Sequence, residues 1–238
     1  RWRLNRVADV ACPGSSVEGA LGLIEGSHTV RNVCRDFPEW HLGRSPYVLW
    51  ALDVDFPEVR ARIRRAGDHL AGLLLDGYCR QPHVTLDLCG FPSVAPEQAD
   101  EFAHELLDRQ CSALRAASVP AVEIGVGGLA SFSSAPFLTV DDRHGHIAEL
   151  RHCLAVDGQN RLLGDYVPHV TVGLYADAWP VEAIAARFSN YAASERLCCR
   201  VERISLMSYL PSLVGGVLSC LADFELATGE MRWHRTLR

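Results

Sequence analysis

Pro82-His83-Val84-Thr85-Leu86-Asp87-Leu88 returns as Pro168-His169-Val170-Thr171-Val172-Gly173-Leu174, displaced by 86 positions (169 minus 83). Ten His and six Thr in 238 residues would produce only about 0.25 His-x-Thr pairs by chance, so the doubling with matching Pro, Val and Leu is informative where one copy would not be. Both runs alternate as half-buried strands: Val84, Leu86 and Leu88 oppose His83, Thr85 and Asp87, and Val170, Val172 and Leu174 oppose His169 and Thr171. Strand side chains alternate faces, so each His shares a face with the Thr two residues on. The apolar sets are expected in the core and the polar pairs in a groove.

Two such strands related by an internal repeat are expected to bring two imidazoles and two hydroxyls to one surface, a constellation suited to a phosphate ester. Imidazole titrates near neutrality, so one ring can act as general base while the other, protonated, acts as general acid. Nucleophile and leaving oxygen lie roughly in line at phosphorus, which suits groups on opposite sides of it. Each Thr hydroxyl can donate to a phosphate oxygen. A lone His-x-Thr is more often structural, but packing alone does not need the same polar pair on two separate strands.

With these motifs the chain resembles the two-histidine phosphoesterase superfamily, which includes 2′-5′ RNA ligase-like proteins and cyclic phosphodiesterases; the resemblance spans roughly residues 46–228. It implies a bilobal α+β fold: two pseudo-symmetric antiparallel-sheet lobes with outer helices around a central cleft. It implies metal-independent chemistry on 2′,3′-cyclic phosphates or 2′-5′ linkages, with His83 and His169 as the acid/base pair and Thr85 and Thr171 as phosphate holders. A non-catalytic module holding a nucleotide or RNA end, and a phosphodiesterase for a small-metabolite cyclic phosphate, are the alternatives.

Composition is that of a globular chain, with net charge −6 and pI near 5.9. This argues against long duplex nucleic acid as partner and is compatible with a small nucleotide or RNA end. No apolar run approaches membrane-spanning length and no signal-peptide pattern is present, so a cytoplasmic protein without a membrane partner is expected, as a monomer. Nine irregularly spaced Cys without C-x-x-C read as reduced thiols rather than disulfides or a zinc site. No Walker loop or dinucleotide fingerprint occurs, so no cofactor is expected. Asp141-Asp142-Arg143-His144-Gly145-His146 has ligand types but reads as turn chemistry, and no metal site is assigned.

Residues 1–45 read as an N-terminal extension packing near the cleft, with a short helix over Val17–Glu25, and residues 46–238 as one bilobal domain. Trp40, His41 and Arg44 read more simply as a surface turn with a buried Trp than as a base or phosphate contact. Tyr47 to Asp55 reads as a strand with Val48, Trp50, Leu52 and Val54 inward. Pro57 opens a helix whose Arg60, Arg62, Arg64 and Arg65 are expected mostly on solvated sides. Further helices are expected at about Glu97–Ala117, His146–Val156 and after Pro180, and strands at Val119–Val126, Gly128–Ser133, Pro136–Asp141, Glu202–Leu210 and Val217–Ala227. Tyr175 and Asp87 are expected on the motif faces, and Arg80, Tyr166 and Tyr209 are further candidates for base or phosphate contact.

Overall fold

The structure, a computed structural model, describes residues 21–156, 166–191 and 195–236. Of the helix expected over Val17–Glu25, residues 17–20 lie outside them; in the described part only Leu21 is helical and Leu23 forms a β-bridge with Phe132, so the helix does not extend to Glu25.

After a single-turn helix α1 (Pro38–His41), β1 (Tyr47–Asp53), α2 (Pro57–His69) and β2 (His83–Pro92) form the first unit. A two-residue strand β3 (Glu101–Phe102) and α3 (His104–Ala117) follow, then β4 (Val122–Ser131). The second unit is β5 (Pro136–Asp141), α4 (His146–Leu154) and β6 (His169–Thr171), then α5 (Val181–Ser189), β7 (Leu197–Val201), β8 (Arg203–Tyr209), β9 (Ser219–Glu225) and β10 (Met231–Trp233). The strands make a six-stranded sheet, β10-β9-β8-β1-β2-β3, and a four-stranded sheet, β6-β5-β4-β7.

The repeat is structural. Asp53 pairs with His83 and Leu52 with Val84 in one sheet, as Thr139 pairs with His169 and Leu138 with Val170 in the other. The 86-residue offset thus holds for the neighbouring strand as well as the motif. Each lobe is a strand, a helix and a motif strand. A further strand flanks the first strand of each unit on its other side, β8 beside β1 and β4 beside β5.

Both motif strands stand at sheet edges. β6 is the outer strand of its sheet, and β3 covers β2 only at Phe91 and Pro92, leaving the His83 end open on that side. An uncovered strand edge carries backbone groups that need partners. Here the second lobe supplies them: Arg151 of α4 donates to the Leu86 carbonyl at 2.7 Å and the Tyr166 hydroxyl to that of Thr85 at 2.5 Å, with the guanidinium 3.6 Å from the Tyr166 ring centroid. In the opposite direction Arg62 of α2 donates to the carbonyls of Val126, at 2.8 Å, and Glu195. Arg62 is only 3% exposed, which corrects its expected place on a solvated helix side. The carbonyls it reaches draw it inward.

Val48, Trp50, Leu52 and Val54 face the main core, as their alternation requires, and that core runs without a break through residues of both lobes. Three of the boundaries that differ from the reading of the chain have a local cause. The helix expected from Glu97 begins at His104, because Arg44 holds Asp100 at 2.6 Å and Glu101 at 3.2 Å and the intervening chain runs as β3. The strands expected on either side of Gly127 are one, β4, with an irregularity at Gly127-Gly128. A Cβ on Gly127 would lie 2.3 Å from the Thr139 hydroxyl, so the break signal in sequence is a bulge that admits a neighbouring side chain. The second motif strand ends at Thr171 rather than Leu174.

Candidate functional site

β2 and β6 lie against one another where the sheets meet, which brings His169 close enough for its charge to be felt at His83. Their tethers are identical. His83 Nδ1 lies 2.8 Å from the Gln81 carbonyl and His169 Nδ1 lies 2.8 Å from that of Val167. A carbonyl only accepts, so each Nδ1 carries the proton and donates it. Each Nε2 is left as the free lone pair, and neither has a partner among the described residues. The fixed tautomer is the one a general base needs.

Burial favours the neutral form of both rings. His83 is 9% exposed, and desolvation, joined by the positive charges of Arg80 and His169, pushes it down to about 4. Desolvation also lowers His169, which packs edge-on to Phe132 at 4.9 Å and against Phe137 at 5.3 Å between ring centroids. Thr85 and Thr171 are both half-buried beside them.

The two cleft walls differ. Thr85 sits opposite Ala51, on a face floored by Leu49, Ala51, Met207 and Leu218. Thr171 sits opposite Phe137, where Phe137, Ala130, Phe132 and Leu23 fill the face. Leu23 belongs to a segment stitched onto the second lobe: Leu23 bridges to Phe132, Val30 N–H donates to the Ser133 carbonyl and Thr29 N–H to that of Trp179. The first lobe's face is therefore floored by aliphatic side chains, and the second's by stacked phenylalanine rings.

The remaining candidates divide. Arg80 stands at the His83 end of the cleft, its guanidinium 4.4 Å from the Tyr209 ring centroid and its Nε 3.2 Å from the Gly216 carbonyl. Tyr209 packs against the first lobe's floor, its phenol pushed up to about 12 by burial. Tyr166 spans the lobes with its hydroxyl spent on Thr85. Two expectations are corrected. Tyr175 is fully buried, its hydroxyl 2.6 Å from that of Ser131; the strand that would have carried it into the cleft has already ended. Asp87 does not share the face of His83 and Thr85: the register slips between Trp50 and Ala51, so Asp87 pairs with Trp50 on the core face and accepts from Gln110 at 3.0 Å.

Trp40, His41 and Arg44 do not form a ligand platform. Trp40 packs on Tyr47 and Phe91 while Arg44 is held by Asp100. Asp142 caps α4, accepting from Ile147 N–H at 2.7 Å, which accounts for the acidic turn. One residue escaped the reading of the chain: Tyr78, whose hydroxyl faces Thr171 from the α2–β2 loop. Only the loop's path explains its place. Leu75 N–H donates to the Leu174 carbonyl, and Cys79 N–H to that of Gly215, drawing the loop over the cleft end.

Fold and cleft define a two-lobed α+β protein of phosphoesterase type, with a histidine-bearing strand from each lobe at the junction. The chain belongs to the 2′-5′ RNA ligase superfamily, whose model matches residues 53–212. Among solved structures, TT0787 of Thermus thermophilus is similar in fold, with 19% identity over 76% of this chain and 98% of that one and a TM-score of 0.52. An Escherichia coli LigT structure complexed with 3′-AMP aligns at 14% identity over 82% of this chain and 96% of that one, with a TM-score of 0.44. No curated protein matches. Among the described residues no helix is long and apolar enough to cross a membrane.

Proposed function

We propose that the protein is a metal-independent phosphodiesterase acting on 2′,3′-cyclic phosphate or 2′-5′ phosphodiester substrates by two-histidine acid/base catalysis. The observation that supports this most is the pair of identically tethered imidazoles, each with Nε2 open, on two strands that meet. His83 is kept neutral by its burial and by the nearby positive charge of Arg80. It is accordingly the base and His169 the acid in the hydrolytic direction. An anionic phosphate in the cleft favours the protonated form of a nearby imidazole, and His169 takes that proton at Nε2.

His83 Nε2 then removes a proton from water as its oxygen attacks phosphorus, and the proton on His169 passes to the departing ribose oxygen. The P–O bond to that oxygen breaks, His83 ends protonated and His169 neutral, and exchange with solvent resets the pair. Thr85 and Thr171 donate to the non-bridging oxygens, each such bond worth about 1.5–3 kcal/mol. The nucleoside lies over the first lobe's aliphatic floor, since aromatic rings fill the other. Arg80 offsets the phosphate charge at the His83 end.

Hydrolysis of the four 2′,3′-cyclic nucleoside monophosphates in EDTA tests the reading. Turnover should survive the chelator and fall by about 10²–10⁴-fold in His83→Ala and in His169→Ala. Activity unchanged in His83→Ala would overturn the mechanism. Saturable nucleotide binding without turnover on cyclic or 2′-5′ substrates would instead make the cleft a binding module.

A further inference from the structure

Among the described residues, one group of three His, Cys and acidic side chains is close enough to share a cation: Cys220, Asp223 and His234, whose ligand atoms all lie within 4.8 Å of one another. It is remote from the histidine pair. Thr85 pairs with Ala51, Ala51 with Ser205 and Ser205 with Asp223, so Asp223 ends a row that crosses the first lobe's cleft face, about 14 Å along the sheet from Thr85 at three strand spacings.

The backbone gathers these three residues. Cys220 and Asp223 are three apart, and in an unbroken strand they would face opposite ways. The β8–β9 register slips between Leu206 and Met207, so Cys220 pairs with Met207 and Ala222 with Leu206, leaving Leu221 as the extra residue. A bulge of this kind turns Cys220 onto Asp223's side. The same Leu221 offers its carbonyl to the N–H groups of His234, at 2.8 Å, and Arg235, at 3.1 Å. That anchors the segment after β10 and sets His234 Nε2 2.8 Å from one Asp223 oxygen, while Cys220 Sγ lies 3.5 Å from the other.

We propose that Cys220, Asp223 and His234 form a binding site for a borderline transition metal, zinc(II) first, that fastens the segment after β10 to the first lobe's sheet. The donor set is one sulfur, one imidazole nitrogen and one carboxylate oxygen, which matches zinc and disfavours magnesium and calcium. Donors around tetrahedral zinc stand roughly 3.3–3.8 Å apart, given bond lengths of about 2.0–2.3 Å. The separations here need adjustments of about an ångström. Ser205, 2.6 Å from Asp223 Oδ1, holds the carboxylate from behind. Arg203, 3.5 Å from Asp223 and half exposed, swings out to solvent when the cation arrives. Metal entry releases the Cys220 thiol proton to solvent, and water fills the fourth position.

The test is a titration of the full chain with cobalt(II), then with zinc(II) in competition with a chromophoric chelator. One cobalt per chain with a thiolate-to-metal charge-transfer band is expected. Cys220→Ser should abolish the band, His234→Ala should weaken binding at least tenfold, and zinc should raise the melting temperature of the wild type alone. No band in the wild type, or a band that persists in Cys220→Ser because Cys198 and Cys199 carry it, overturns the proposal. Turnover in EDTA is read separately, so either result stands apart from the two-histidine reading.

Discussion

Each motif histidine donates Nδ1–H to the carbonyl two residues before it, and this small tether decides what the ring can do. It holds the imidazole in one tautomer and one orientation without adding a carboxylate, so the ring stays neutral until an anion arrives. Arg80 adds a positive charge beside His83. Arg80→Ala should raise the His83 pKa from its depressed value, because a neighbouring positive charge is removed, and should raise KM by weakening phosphate attraction. An NMR titration of the ring protons reads the first effect and steady-state kinetics the second; an unmoved His83 would mean burial alone sets its value. Tyr175→Phe makes the opposite kind of control. Losing the Ser131 bond should cost about 1 kcal/mol in denaturant unfolding and leave KM unchanged.

The motif strands are ordinary in composition; their placement at exposed sheet edges is what makes them useful, and the other lobe's side chains make that placement tolerable. Arg151 and Tyr166 satisfy the carbonyls of Leu86 and Thr85, and Arg62 does the same across the junction for Val126. Replacing Arg151 by Met should cost about 1–3 kcal/mol, the penalty for a buried acceptor left without a donor. It should also lower turnover by loosening β2, as equilibrium unfolding and kcat together would show. Gly127→Ala should destabilise by a similar amount, since its new methyl group meets the Thr139 hydroxyl. Wild-type stability in that variant would show that β4 and β5 can part there at no cost. The basic face of α2 illustrates how far such elements can be read from the chain: Arg60, Arg64 and Arg65 lie exposed, whereas Arg62, three after Val59 and four before Ala66, belongs to the buried stripe and is satisfied there by carbonyls more than sixty residues away.

A single core continues through both lobes, so they should unfold together. Tryptophan fluorescence and far-UV circular dichroism should report one coincident transition, and separate midpoints would argue for independent lobes. Acid should weaken that transition in a defined window. Histidine titrates near 6.5 when unfolded and His83 near 4 in the folded protein, so between these values the unfolded chain binds the extra proton. The stability contributed by neutral His83 is full above about pH 6.5 and is lost progressively as the pH falls toward 4, by on the order of a few kcal/mol. Unfolding free energies measured across that range should slope less steeply in His83→Gln. An identical slope would place the acid sensitivity elsewhere.

The repeated Pro-His-Val-Thr run by itself determined the pairing of the histidines with their threonines and carried the resemblance that implied two lobes, because alternation over four residues is a local property and a repeat is visible without coordinates. Tertiary structure decided what surrounds them. Alternation carries a side chain's facing only while the ladder is unbroken: a slip at Trp50-Ala51 turns Asp87 into the core, the end of β6 at Thr171 does the same for Tyr175, and the bulge at Leu221 brings Cys220 to Asp223. Tyr78 and Arg80 reach the cleft on a loop whose course is set by backbone partners in the other lobe and in the β8–β9 turn. Those bonds join residues 99 (174 minus 75) and 136 (215 minus 79) positions apart, separations over which no local pattern in the chain carries information.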